Sequence, residues 1–288
     1  MTAGPGPVVC GVQLAPRLGD VPANTEAACR AITVAAGEGA SLVVLPEAAL
    51  TGYVFSGREA ARAAAVEARG PELSAVGEAC RSAGAYAVVG AIERADDKLY
   101  NSAFLAGPEG IVGHYRKLHT LCLGVDRFTT PGAGPLEVWE LPFGRVGIHI
   151  CYDGTFPETA RALKLLGAQL VLLPTNWPTL GMRQAQVRVR AWENHVNFFA
   201  VNRVGAEEGV EFLGGSLAAD YGGRLLAEGG SGPEYVYVSF DFAGADESYV
   251  VERPGEYEFD YIADRRPDCY GAITDSPKRG RPSGSRSS

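Results

Sequence analysis

A thiol, an ammonium and a carboxylate stand out in this chain by their settings. Cys151 ends the apolar run Gly147-Ile148-His149-Ile150 and is followed by Tyr152-Asp153. Lys117 lies within His114-Tyr115-Arg116-Lys117-Leu118-His119, and Glu47 follows Leu45-Pro46. A free cysteine has a pKa of about 8.5, so little thiolate exists at neutral pH without help. A nearby ammonium favours the thiolate and can later steady an oxyanion. A carboxylate within reach can accept the thiol proton and return it to a leaving group. Each residue alone also has an ordinary reading. A cysteine at a strand end is usually a small buried hydrophobe, and a single Glu or Lys is usually at the surface. Cys10, Cys29, Cys80, Cys122 and Cys269 lack comparable settings and are read as structural.

The elements that must position these groups alternate between short apolar runs and Ala-rich stretches, the pattern of an α/β fold. Strands are expected at 8–14, 41–45, 86–92, 101–106, 111–115, 145–150, 169–173, 198–202, 213–219, 225–227 and 235–241. Helices are expected at 24–37, 71–83, 157–166 and 183–193. Gly39-Ala40-Ser41-Leu42-Val43-Val44-Leu45-Pro46 matches Gly167-Ala168-Gln169-Leu170-Val171-Leu172-Leu173-Pro174, 128 positions on. This reads as one sheet-building unit used twice, unless two buried strands match by chance. Strands buried on both faces present ligands at their carboxyl ends. Glu47, Cys151 and Thr175-Asn176 all follow such runs.

With these residues in place, the sequence resembles the nitrilase superfamily of carbon–nitrogen hydrolases. The resemblance runs from about Val8 to Asp241 and keeps the order Glu47, Lys117, Cys151. It extends to Leu173-Pro174-Thr175-Asn176-Trp177-Pro178, Arg190-Ala191-Trp192-Glu193-Asn194, Asn202-Arg203-Val204-Gly205 and Gly214-Gly215-Ser216. It implies an α/β fold, a four-layer α-β-β-α sandwich of two packed mixed sheets in a single domain over 1–275. It also implies a catalytic cycle: Glu47 takes the Cys151 proton, passes it to departing ammonia, then activates water against a thioester. Lys117 and the backbone N–H of Tyr152 would hold the oxyanion. Relatives commonly carry a second Glu after the lysine; here the matching stretch, Leu123-Gly124-Val125-Asp126-Arg127-Phe128, offers Asp126 in support. An exposed partner for Arg127 is its alternative role. Relatives that cleave N-carbamoyl amino acids often have Arg shortly after Cys-x-Asp, whereas Gly154-Thr155 stands here, so neutral or cationic amides are expected. Tyr53, His119, Asn176 and Trp177 are the expected pocket residues, with Trp177 equally readable as core. His114, His149 and His195 are read as structural, although His149 shares the strand face of Cys151, and Arg190 and Glu193 are read as an ion pair within one helix. Family members commonly form homo-oligomers, dimers or larger, and the helices 157–166 and 183–193 are candidates for that surface.

Composition narrows the rest. The 288 residues are 46% hydrophobic with a formal charge of −8 and a pI near 5.2, which argues against a nucleic-acid or anionic-membrane partner. No apolar run approaches the ~20 residues that span a bilayer. The six cysteines are scattered, without zinc-type spacing or a disulfide pattern, and the first residues lack a basic start and apolar core. A cytoplasmic protein is expected. Neither Gly-x-x-x-x-Gly-Lys nor a Gly-x-Ser-x-Gly elbow is present, so no cofactor and no metal is expected. Residues 276–288, basic and without apolar side chains, read as a disordered tail. The leading expectation is hydrolysis of a small primary aliphatic amide to carboxylate and ammonia. The alternatives are an N-carbamoyl amine, a nitrile, or a catalytically silent binding protein on the same fold.

Overall fold

The computed structural model describes residues 6–275, and the expected basic tail lies outside them. The chain divides into two compact units, one through Glu247 and one from Ser248. The first begins with β1 (Val8–Gln13), α1 (Val21–Gly37), β2 (Leu42–Val44), α2 (Arg58–Ala64), α3 (Pro71–Ala83), β3 (Tyr86–Ala95), β4 (Lys98–Gly107) and β5 (Gly110–Arg116). It continues with β6 (Val138–Leu141), β7 (Gly144–Ile148), α4 (Pro157–Leu165), β8 (Leu170–Thr175), α5 (Met182–Asn194) and β9 (Asn197–Asn202). Five strands close it: β10 (Val204–Glu207), β11 (Val210–Leu213), β12 (Leu217–Ala219), β13 (Leu225–Glu228) and β14 (Glu234–Ser239). The second unit carries the antiparallel hairpin β15 (Tyr249–Arg253) and β16 (Tyr257–Asp260).

Two six-stranded mixed sheets form, in the orders β14-β1-β2-β3-β4-β5 and β6-β7-β8-β9-β12-β13. Each reads as one antiparallel edge strand, three parallel strands, then two antiparallel strands. β2 and β8, the two copies of the repeated sequence segment, are the middle strands of the two parallel triplets. The repeat is therefore architectural, and it brings equivalent strand ends to equivalent places.

Strand alternation sorts the core into layers. Val9, Leu42, Val44, Val88 and Leu105 of the first sheet share a buried cluster with Val146, Ile148, Leu172, Phe199 and Val201 of the second. The intervening Cys10, Val43, Leu45, Val89 and Phe104 pack beneath α1 and α3 through Ala28, Ile32, Val76 and Cys80. Beyond the second sheet lie α4 and α5, which bury Leu163, Val187 and Ala191. The expected α-β-β-α layering results. The helix starts follow from local chemistry. The Asp20 side chain accepts the Ala23 N–H at 3.3 Å to cap α1, and Pro71 and Pro157 open α3 and α4.

One expected strand, 213–219, is two. Gly214 and Gly215 both take left-handed conformations (φ +65° and +66°), which end β11 at Leu213 and delay β12 to Leu217. A side chain at Gly214 would meet the Gly230 carbonyl oxygen at 2.5 Å, so the break is sterically fixed.

Candidate active site

Glu47 sits in the turn after β2, pressed onto the neighbouring strand. A Cβ on Gly90 of β3 would lie 2.4 Å from the Pro46 carbonyl oxygen and 2.8 Å from Glu47 Cα, so only glycine permits this approach. Lys117 follows β5 directly, its backbone N–H donating to Asn101 O at 2.8 Å. Its Nζ lies 2.7 Å from Glu47 Oε1 and 2.6 Å from Asp126 Oδ2. Asn101, from β4, closes the square: its Nδ2 donates to Glu47 Oε1 at 2.7 Å and to Asp126 Oδ1 at 2.9 Å. All four side chains are buried. Glu47 Oε2 and Asn101 Oδ1 are left without partners. Asp126 rides on a short 3₁₀ turn, Gly124–Arg127. It is not an exposed partner for Arg127, whose guanidinium instead donates to the Gly124 and Phe55 carbonyls at 3.1 Å each.

Cys151 begins a 3₁₀ turn, Cys151–Thr155, just beyond β7, and its own φ is +45°. A non-glycine residue there is strained and must be held by its surroundings. Asp153 does the holding. Its Oδ2 accepts the Ile150 N–H at 3.0 Å and the Tyr115 hydroxyl at 2.7 Å; its Oδ1 accepts the His119 N–H at 2.9 Å. His119 Nδ1 lies 2.8 Å from the same Oδ1, with its ring stacked on Phe156 at 3.8 Å. One carboxylate thus ties the cysteine turn to the strand and loop that carry Lys117. His119 is engaged in this brace. From α5, Gln186 and Arg190 reach the Gly154 carbonyl, and Arg190 keeps its ion pair with Glu193 at 2.8 Å. His149 is buried beside Thr159, its Nδ1 3.0 Å from Oγ1, and burial lowers it to about 4, so it is neutral.

The electrostatics set burial against these charges. Burial, then the Glu47 charge, push the Cys151 thiol up to about 12, against the downward pull of Lys117, the Thr175 hydroxyl and the Asn176 N–H. The resting sulfur keeps its proton; Lys117 alone does not make it a thiolate. Burial also raises Glu47, a pull that Lys117 and Asn101 only partly offset. For Lys117 burial works downward, and the charges of Glu47 and Asp126 outweigh it, so the amine stays an ammonium.

The remaining expected residues border this centre. Tyr53 is buried with its ring 5.9 Å from Lys117 Nζ. Asn176, just past β8, is buried with both side-chain polar atoms unpartnered, and Trp177 Nε1 is likewise unpartnered. Trp177 lines a narrow crevice beside Cys151 with Leu173, Val187 and Phe198. Tyr152 packs edge-on against Phe156 at 5.2 Å. Among the described residues, no group of three or more His, Cys, Asp and Glu could hold a metal, and no helix is long and apolar enough to cross a membrane. All six cysteines are free.

Residues 9–248 match the model of the carbon-nitrogen hydrolase family. The chain belongs to that family. A nitrilase of Pyrococcus abyssi is 37% identical over 264 residues, covering 91% of this chain and 98% of its own. An (R)-stereoselective amidase of a Pseudomonas species is 36% identical, covering 92% and 94%. Among solved structures, an amidase from Nesterenkonia sp. superimposes with a TM-score of 0.78 at 25% identity, covering 94% of this chain and 97% of that one. A cysteine-to-alanine mutant of the amidase from Nesterenkonia sp. AN1 is in complex with butyramide; it gives a TM-score of 0.73 at 26% identity, covering 82% and 91%. This carbon-nitrogen hydrolase is therefore amidase-like in fold and family, as the sequence resemblance implied.

Proposed function

We propose that this hydrolase cleaves small primary aliphatic amides, neutral or cationic, to carboxylate and ammonia through a thioester on Cys151. The observation that carries the reading is the buried Glu47–Lys117–Asp126–Asn101 square, which leaves one Glu47 oxygen free for proton transfer. Glu47 Oε2 accepts the proton from Sγ as the sulfur attacks the carbonyl carbon. The C=O electron pair moves onto oxygen. Lys117 has three N–H bonds and spends two on carboxylates, so the third is available to that oxyanion, with the Tyr152 backbone N–H as second donor. The tetrahedral intermediate collapses, the C–N bond breaks, and Glu47 returns its proton to nitrogen as ammonia leaves. Water then adds to the thioester with Glu47 as base again, releasing acid and thiol. Asp126 fixes Lys117 and supplies the second negative charge.

Tyr53, His119, Asn176 and Trp177 border the acyl site in this reading. The two unpartnered ends of Asn176 and the free indole N–H suit a polar carbonyl-bearing ligand. Nitrile hydrolysis is the second reading, favoured by the P. abyssi relative named as a nitrilase. Assembly of identical copies accompanies the first reading. α5 exposes Met182, Val189 and Trp192, and Leu165 and Leu166 are exposed at the end of α4.

The test is ammonia release from neutral, cationic and anionic amides, carbamoyl amines and nitriles, with Cys151→Ala alongside. Strongest release from neutral or cationic amides, abolished in the variant, supports the proposal. Nitriles turned over faster than amides would favour the second reading. Turnover surviving in Cys151→Ala refutes the thioester route.

A further inference from the structure

We infer that Glu207 is a positioning residue for the Lys117 ammonium, acting through Tyr53 and the turn that carries Asp126. Glu207 ends β10, and its Oε1 lies 2.6 Å from Arg203 Nη1 with both side chains almost wholly buried. Arg203 is itself fixed: Nη2 donates to the Pro16 carbonyl at 3.3 Å, and the guanidinium lies over the Phe212 ring, 4.4 Å from its centre. The other oxygen of Glu207 accepts two consecutive backbone N–H groups, those of Tyr53 at 2.9 Å and Val54 at 2.8 Å. Two donors on one anchored oxygen set both the place and the tilt of that backbone. The Tyr53 carbonyl then accepts the Val125 N–H at 2.8 Å, one residue before Asp126. From Asp126 the line reaches Lys117 in a single 2.6 Å contact. The Tyr53 ring flanks the same ammonium.

An amide in place of the Glu207 carboxylate leaves one oxygen for both Arg203 and the two backbone N–H groups, so its NH₂ opposes one set of buried donors. The backbone must then shift to satisfy them. That shift passes to the Gly124–Arg127 turn and so to the Lys117 contact. The inference uses the hydrolase reading only for its kinetic arm. Its main readout needs no substrate.

The experiment follows iodoacetamide alkylation of Cys151 across pH in the full-length protein, by peptide mass spectrometry. Cys269, exposed and in the second unit, serves as internal reference. Glu207→Gln keeps the size and one acceptor but loses the charge; Arg203→Lys keeps the charge on Glu207 while loosening its anchor. Both are measured below their melting midpoints. The expected result for Glu207→Gln is a fall of about tenfold in the Cys151 to Cys269 rate ratio, as a misplaced ammonium gives. The rise of Cys151 reactivity with pH should also move upward. Arg203→Lys shows the same changes to a smaller degree. On any amide the wild type turns over, kcat falls while KM stays within about threefold. A cooperatively melting Glu207→Gln with the wild-type ratio and pH profile overturns the inference. If that variant does not fold, Arg203→Lys with a wild-type ratio and profile overturns it. A wild type that hydrolyses no amide refutes the amide reading and leaves the alkylation comparison intact.

Discussion

Asp126→Asn takes one negative charge from a cluster closed to water, where Asp126 Oδ2 lies 2.6 Å from Lys117 Nζ and both side chains are fully buried. An amide cannot satisfy both neighbours. Turned one way it sets its NH₂ against the Lys117 ammonium; turned the other, against the Nδ2 donor of Asn101. Either orientation forfeits a buried charge-assisted hydrogen bond, about 1.5–3 kcal/mol. Expressed in the transition state at 1.36 kcal/mol per decade, the loss in kcat/KM is about 10- to 150-fold. A second effect has a definite sign. The Asp126 charge is one of the influences that raise Glu47, so removing it lowers the proton affinity of the base. In the proposed cycle Glu47 must be unprotonated to act, so the acid limb of kcat/KM against pH moves to lower pH. Coupled ammonia detection over a pH series on one good amide substrate, with melting curves alongside, reads both effects. A folded Asp126→Asn protein within about threefold of wild type and with an unmoved acid limb would refute the reasoning.

Glu93 offers a stability test beside the site, since it pairs with Arg116, next to Lys117, and accepts from Ser102, next to Asn101. Burial would raise this carboxylate, but Arg116, His114 and Ser102 outweigh it and hold it at about 2. Its contribution is therefore complete above the unfolded value of about 4.3 and is lost as pH falls from there toward about 2. Glu93→Gln should lower stability at pH 7 by about 2–3 kcal/mol and flatten that acid window; urea unfolding at pH 7 and pH 3 measures both. For the proposed assembly through α5, Trp192→Asp places a charge within the exposed apolar face and should shift the protein toward smaller species in light scattering, with the monomer's circular dichroism unchanged. An unchanged mass distribution would remove α5 from the assembly surface.

The parallel triplets were legible because each strand is a short, continuous apolar run stopped by Pro or a polar residue, and the repeated segment marks their middle strands. Glu47 and Cys151 were legible for the same reason: each is the first reactive group beyond such a run. Asn101 was not. It lies within β4 (Lys98–Gly107), and only the pairing of β4 between β3 and β5 brings it to Lys117. Asp153 stood in view beside Cys151, but four contacts from residues as far away as Tyr115 give it meaning, and spacing carries none of them. Helix α2 is seven residues, too short for a periodic signal. The Gly214-Gly215 pair could have warned of the break in strand 213–219, since adjacent glycines commonly mark a turn.

What composition and order could not reveal is the protonation state of the proposed nucleophile, and that state shapes the proposed mechanism. A sulfur held at about 12 beside a buried carboxylate argues against a standing thiolate and for proton transfer joined to attack. The charge count supports this. In the resting cluster two carboxylates and one ammonium leave a single net negative charge. Passing the Cys151 proton to Glu47 exchanges a carboxylate for a thiolate, and the single negative charge remains. No net charge is created in a site where uncompensated charge is costly. In the proposed cycle the charge only moves, from Glu47 to sulfur and then, as the C–S bond forms, to the carbonyl oxygen beside Lys117. Asp126 holds the ammonium in place, and the Asn101 amide fixes Asp126 in turn. The burial that makes Cys151 a poor acid at rest would also make Lys117 effective when charge reaches the substrate oxygen in that cycle. The two properties have one physical cause.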